Sequence, residues 1–237
     1  MIFAAGLGTR LKPLTDTMPK ALVPINGKPL LQWQIEKLHQ AGISDIIVNI
    51  HHFPDMIIDF LRSNYPDIKV SDERDMLLET GGGLMKVLHD EPILALNVDI
   101  LSNIDIQKVI DAYRPEDLAL LVVSQRQTQR YLCWDQDNKL VGWTNIATKE
   151  VRPLNAAGHI QDTRLLAFSG MQIVSPRILP FMHEMKREKF SVIDLYLHIV
   201  ERHPQETIRA HIPYNYKMMD IGKIDHLSEA EYFAKSL

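Results

Sequence analysis

The N-terminal stretch reads Ala4-Ala5-Gly6-Leu7-Gly8-Thr9-Arg10-Leu11-Lys12-Pro13-Leu14-Thr15, followed by Pro19-Lys20-Ala21-Leu22-Val23-Pro24. Glycines let a backbone come close to a ligand and present its N–H groups. Arg10 keeps its charge throughout and can fork onto phosphate oxygens. Lys20 adds a point charge on a loop stiffened by prolines on both sides. Together these residue types make a cradle for a polyphosphate. Two acids extend the chemistry. Asp99 follows Ala95-Leu96-Asn97-Val98, and Asp220 follows Lys217-Met218-Met219. In open α/β sheets, ligands gather beyond the carboxyl ends of strands. Two hard carboxylates suit Mg²⁺, which fills its shell with waters and phosphates. An isolated strand-end aspartate more often caps the next helix; the cradle is what favours the metal reading.

Other motifs are weaker. The dinucleotide fingerprint needs a third glycine where Leu11 stands, and Gly8-Thr9-Arg10 is not the Gly-Lys-Ser/Thr of a P-loop. Gly81-Gly82-Gly83 opens a helix at a cost of roughly 1 kcal/mol per glycine against alanine. Either a base and ribose pressed on bare backbone or close helix packing explains the run. His51 and His52 follow a strand with no third ligand at sensible spacing, so they read as loop residues. Cys133 has no motif around it and reads as a small buried hydrophobe. Arg126 and Arg130 read as a solvated face, and Trp33 as a helix-packing residue.

The elements that must position these residues alternate between strand and helix, which predicts an α/β fold with a largely parallel sheet. Met1 to Ala5 reads as a buried strand. Leu30 to Ala41 has apolar residues at three- and four-residue spacing and stops at Gly42. Ile46 to Ile50 is a β-branched strand, Met56 to Leu61 a short helix and Ile68 to Ser71 a strand. A helix runs from Glu79 through Val87. Ile93 to Val98 is a strand ending in Asp99, and a helix covers Ile104 to Tyr113. Leu118 to Val123 is a strand, and Arg130 to Trp134 with Leu140 to Thr144 form a hairpin around Asp137-Asn138. Residues 145–165 show no period and are expected to be loop. Phe168 to Val174 is a strand, Pro176 to Glu184 and Val192 to Arg202 are helices. Strands follow at Ile208 to Ile212 and Tyr216 to Met219. Ile224 to Lys235 is a closing amphipathic helix.

The bulk numbers exclude several classes. The 237 residues have 46% hydrophobic and 24% charged side chains, ordinary for a globular protein with a sizeable core. The net charge of −4 gives no basic field for nucleic acid. Anion binding must be local, and residues 1–30 carry +3 against that background. One cysteine cannot form an internal disulfide, which fits a reducing cytoplasm. No run approaches the roughly 18–20 apolar residues of a membrane span, and the N-terminus lacks the features of a signal peptide.

The N-terminal string closely resembles the signature of the sugar-phosphate nucleotidyltransferases (NDP-sugar pyrophosphorylases): Gly-x-Gly-Thr-Arg, Pro-Leu-Thr, then Pro-Lys-x-Leu-x-Pro. Asn97-Val98-Asp99 and Asp220-Ile221-Gly222 stand where this family carries metal-binding aspartates, with Val98 and Lys223 departing from its usual residues. The string Leu78-Glu79-Thr80-Gly81-Gly82-Gly83 most resembles the uridylyltransferases acting on N-acetylmuramate 1-phosphate in peptidoglycan recycling. The resemblance implies a three-layer Rossmann-like (GT-A-like) fold with a mixed, mostly parallel central sheet. It implies one domain over 1–237, binding nucleotide through about residues 1–115 and sugar through about 116–237.

It also implies roles. Arg10 and Lys20 are catalytic; Ala4, Ala5, Gly6, Gly8, Thr9, Glu79, Thr80, Gly81, Gly82, Gly83 and Asn97 bind nucleotide. Gly170 and Asp220 bind sugar, and Asp99 and Asp220 hold Mg²⁺. The implied reaction joins a nucleoside triphosphate, UTP by analogy, to a sugar 1-phosphate and releases pyrophosphate. Alternatives are a guanylyltransferase for mannose or heptose 1-phosphate, and a non-catalytic nucleotide-sugar sensor. Phosphocholine activation would want an aromatic cage, and aromatics are only 7% of the chain. The family's Glu-Lys-Pro sugar element is not clear in this sequence. Neither nucleic acid nor membrane is an expected partner, and the short chain suggests a monomer or weak dimer.

Overall fold

The computed structural model describes residues 1–154 and 162–237. They form an α/β fold of two compact units. The first comprises Met1–Glu79, Ala95–Gln107 and Tyr216–Leu237, the second Thr80–Leu94 and Lys108–Asn215. The chain therefore crosses between units four times.

The first unit is built on parallel strands. β1 (Ile2–Phe3) pairs on one side with β4 (Ile47–Ile50) and on the other with β6 (Ile93–Asn97); β4 pairs with β5 (Lys69–Asp72). The register sets Ile2 between Val48 and Leu96, all three buried. α1 (Leu30–Gln40) buries Leu30, Leu31, Ile35 and Leu38 along one face. It stops where Gly42 takes a φ of +78°, a left-handed conformation that suits a glycine after a helix. α2 (Pro54–Asn64) starts two residues before the expected Met56 and ends later. Proline fits the first helical turn because its missing N–H has no partner there anyway.

Two short ribbons complete this unit. β2 (Pro24–Ile25) and β3 (Lys28–Pro29) form a hairpin around Asn26 and Gly27, with φ of 51° and 75°. Both positive values are what a tight two-residue hairpin turn requires. β7 (Ile100–Ser102) pairs antiparallel with β14 (Met218–Asp220), setting Ile100 opposite Asp220. α7 (Leu227–Ala234) closes the chain.

The second unit carries β8 (Ala119–Ser124), β9 (Arg130–Trp134), β10 (Leu140–Asn145), β11 (Glu150–Arg152), β12 (Arg164–Val174) and β13 (Ile208–His211). The hairpin of β9 and β10 is the expected one, turning through Asn138. β12 joins β8 and β9 antiparallel, and β13 runs parallel to β8. Strand β11, paired with β10, lies in the stretch expected to be loop. At three residues it is too short to show a period. β10 also reaches into that stretch at Asn145 and β12 begins in it at Arg164, while residues 155–161 lie outside the described residues. α5 (Leu179–Glu184) and α6 (Val192–Arg202) belong to this unit, while α3 (Glu79–Val87) and α4 (Ile106–Ala112) span the boundaries in sequence. Among the described residues, no helix is long and apolar enough to cross a membrane.

Candidate active site

The cradle is a succession of tight turns. Gly8, at a φ of +65°, precedes a turn over Thr9–Leu11, and its carbonyl accepts from the Leu11 N–H at 2.8 Å and the Thr15 hydroxyl at 2.9 Å. A Cβ at position 8 would meet Thr15 Cγ2 at 2.8 Å and Lys20 Cβ at 3.1 Å. Glycine is thus required here twice, for its backbone angle and for the close approach of Lys20. Gly6 differs. Its φ is not left-handed, and a Cβ there would point into open space. What a bare backbone provides at Gly6 is access from outside. Ala5 is buried and Thr9 exposed.

The four charged residues converge within the first unit. Lys20 is 8% exposed, and its ammonium pairs with the Asp99 carboxylate. A buried charge without a partner is costly, so each member of this pair holds the other in place. Asp99 sits in the turn between β6 and β7, and its carbonyl accepts from Ile221 N–H at 2.8 Å. That bond and the β7–β14 register bring Asp220 alongside. Gly222 then joins the remaining pair. A Cβ there would lie 2.6 Å from Asp220 Oδ1 and 2.7 Å from Arg10 Nη2. Arg10 and Asp220 therefore press against one α-carbon.

Asp220 Oδ1 is buried and has no hydrogen-bond partner among the described residues. A buried carboxylate oxygen is seldom left unpaired. This orphaned hard oxygen, next to a second carboxylate on a turn, is a donor set suited to Mg²⁺.

Three buried polar residues that sequence reasoning passed over hold these turns. Gln34 of α1 donates to the Ile100 carbonyl at 2.8 Å and the Val98 carbonyl at 3.4 Å, pinning the Asp99 turn on both sides. Asn49 of β4 accepts from Ala4 N–H at 2.7 Å and donates to Glu73 Oε1 at 2.8 Å. Glu73, 3% exposed, accepts from Leu78 N–H at 3.2 Å through its other oxygen. One Asn–Glu link thus joins the start of the glycine turn to the backbone just ahead of Glu79. It also commits the Ala4 N–H, so a ligand at Ala4 can address only its carbonyl. Gln34 sits among the apolar positions of α1, and Asn49 interrupts a β-branched strand; both interruptions are visible in the sequence. His51 and His52 serve the same scaffold. His51 Nδ1 lies 2.7 Å from the Glu73 carbonyl and His52 Nε2 3.3 Å from the Thr15 carbonyl. Asn97 ends β6 opposite Phe3.

The triple glycine lies in the second unit, where the fold itself explains part of it. A Cβ on Gly81 would fall on the Phe190 ring and 2.8 Å from the Phe190 carbonyl. That carbonyl accepts from the N–H groups of Gly81 at 2.9 Å and Gly82 at 3.3 Å, while Thr80 Oγ1 accepts from Val192 N–H at 3.0 Å. Close packing therefore accounts for Gly81. Glu79 enters α3 at a φ of 61°, an uncommon angle for a residue with a side chain. Gly170 has a φ of +73° where β12 shifts register against β8 between Phe168 and Gln172. A bulge of this kind re-aims neighbouring side chains and favours glycine. Cys133 is free and buried, and burial raises its thiol to about 11, which leaves it unreactive. A cavity of about 560 Å³ in the second unit, lined by Asp135, Lys139, Leu140, Ile199, Pro204 and Ile208 among others, contains none of the four converging charges.

Within this α/β fold two cations and two acids thus meet in the first unit. The chain belongs to the Nucleotidyl transferase family, which it matches over residues 1–236. N-acetylmuramate alpha-1-phosphate uridylyltransferase of Caulobacter vibrioides is 36% identical to it over 142 residues, 54% of this chain and 59% of that protein. The protein of the same name from Neisseria meningitidis serogroup B is 40% identical over 111 residues, 44% and 48% of the two chains. This chain thus spans about half the length of the curated relatives it matches. The crystal structure of HddC from Yersinia pseudotuberculosis complexed with GMP-PN shares the fold. Its TM-score is 0.72 at 22% identity, covering 98% of this chain and 97% of that one.

Proposed function

We propose that this protein transfers a nucleotidyl group from UTP to N-acetylmuramate 1-phosphate, giving the UDP-sugar and pyrophosphate. The observation that carries the reading is the convergence of Arg10, Lys20, Asp99 and Asp220, with one Asp220 oxygen buried and unpaired. An oxygen of the sugar phosphate attacks the α-phosphorus, and the bond to the β-phosphate bridging oxygen breaks. With a second pKa of about 6, the attacking phosphate is largely ionised at neutral pH and needs no general base. The work left is positioning and neutralising charge.

Arg10, exposed and braced on Gly222, holds the leaving pyrophosphate. Lys20, oriented by Asp99, bridges the α-phosphate and the incoming phosphate. Asp99 and Asp220 would hold Mg²⁺, which when bound would supply Lewis-acid stabilisation of charge on the phosphate oxygens. The choice of base and sugar rests on the two uridylyltransferase relatives and on the string from Leu78 to Gly83. A role in peptidoglycan recycling follows from that choice.

The test is pyrophosphate release from UTP, CTP, GTP and dTTP, each paired with the 1-phosphates of N-acetylmuramate, N-acetylglucosamine, glucose and mannose. UTP with N-acetylmuramate 1-phosphate is expected to lead. A lead by GTP with mannose 1-phosphate refutes the substrate assignment and keeps the reaction class. No release from any pair refutes the enzyme.

A further inference from the structure

The second unit holds a cluster that the proposed chemistry does not use. Glu184 is the last residue of α5, His198 lies in α6, and His203 caps the C-terminus of α6, its N–H bonded to the Ile199 carbonyl at 2.8 Å. Both imidazoles turn the same nitrogen to the same carboxylate oxygen. His203 Nε2 lies 2.8 Å and His198 Nε2 3.1 Å from Glu184 Oε2. One ligand atom from each of the three residues lies within 4.8 Å of the other two. Phe181 packs edge-on against the His203 ring at 4.7 Å, which restricts the ring's freedom.

Electrostatics explains why a cation belongs here. Two helices end at this point, and the C-terminus of a helix carries partial negative charge. Glu184 adds a full negative charge at such an end, where a carboxylate is unfavourable. Two imidazole nitrogens, which are borderline ligands, with one carboxylate oxygen make a mixed set that suits zinc-class ions better than Mg²⁺. Three side chains leave a fourth tetrahedral position for water or an outside ligand.

We propose that Glu184, His198 and His203 form a binding site for a divalent transition metal of the zinc class, separate from the Asp99–Asp220 acids. The bound ion fastens the end of α5 to the end of α6.

The experiment is a titration of the full chain with Zn²⁺ by calorimetry, in excess Mg²⁺ so that oxygen-only sites are filled. Co²⁺ serves as a visible-absorption reporter of the ligand field. The unsubstituted protein is expected to take up one equivalent per chain, with the Co²⁺ spectrum of a tetrahedral nitrogen–oxygen site and a raised thermal midpoint. His203→Ala and Glu184→Gln are expected to weaken uptake at least tenfold, a loss of the size that even outer-shell partners of metal ligands bring. Glu184→Gln keeps the side-chain volume and guards against misreading a folding defect. Asp220→Ala is expected to retain the equivalent. Absence of uptake by the unsubstituted protein overturns the proposal. So does unchanged uptake in both cluster variants, or an equivalent that vanishes with Asp220→Ala.

Discussion

Gly222→Ala isolates the proposed site from the fold. The added methyl would sit 2.6 Å from Asp220 Oδ1 and 2.7 Å from Arg10 Nη2. Ordinary contact begins near 3.4 Å, so both groups must retreat, by about 0.8 Å and about 0.7 Å. Both are the ends of flexible side chains, and the backbone need not move. A misplacement of about 1 Å at a reacting centre can cost about a hundredfold in rate, or about 2.7 kcal/mol of barrier. Stability is expected to change by no more than about 0.5 kcal/mol, because alanine restricts the unfolded chain and offsets part of the crowding. The assay is steady-state pyrophosphate release with the best substrate pair, beside urea unfolding of the same preparation. Turnover within about threefold of the unsubstituted protein, a difference of about 0.7 kcal/mol, would refute the claim that the spacing of Arg10 and Asp220 sets the rate.

Three further outcomes follow from the same geometry. Asp99→Ala is expected to lower turnover by orders of magnitude and to destabilise the fold, since it strands the buried Lys20. The double variant Lys20→Met/Asp99→Ala should recover stability in urea but not turnover, because an apolar replacement of a buried pair is often neutral. Gly81→Ala should cost about 1–3 kcal/mol in urea unfolding, since its Cβ collides with a packed ring and a carbonyl. Lys37 bonds to Ser102 and is lowered by burial to about 8 from 10.5. The unfolded chain then binds more protons than the folded one between those values, so this residue's contribution to stability rises from about pH 8 to 10.5 and is lost as pH falls through 8. The stability difference between the unsubstituted protein and Lys37→Met, measured across that range, should show the rise; a flat difference would count against it.

Most of the regular elements were legible because each carries its own period. The apolar spacing of α1, the β-branched run of β4 and the span of α3 all appear where the pattern put them. The convergence of Arg10 and Lys20 with Asp99 and Asp220 followed from strand ends together with a resemblance that ran in order along the chain. What escaped was too short or too distant to leave a period. β7 and β11 have three residues each. The β2–β3 turn did leave a local signal, Asn26-Gly27, which is a strong hairpin dipeptide. Gln34 and Asn49 act through partners 24 to 66 residues away, and no local pattern reports such partners. Gly81 was legible as a demand for bare backbone but not as a demand made by Phe190.

The β7–β14 ribbon has a consequence for the timing of biosynthesis. Asp99 and Asp220 are brought together by strands that are far apart in the chain. A ribosome that has delivered the first two hundred residues has made the glycine turn, both cations and one acid, but not the other. The nascent protein therefore emerges with the proposed site incomplete. The set is complete only when the last segment docks beside residues 100–102, so on the proposed mechanism a product terminated earlier is expected to release no pyrophosphate, however well its earlier parts fold.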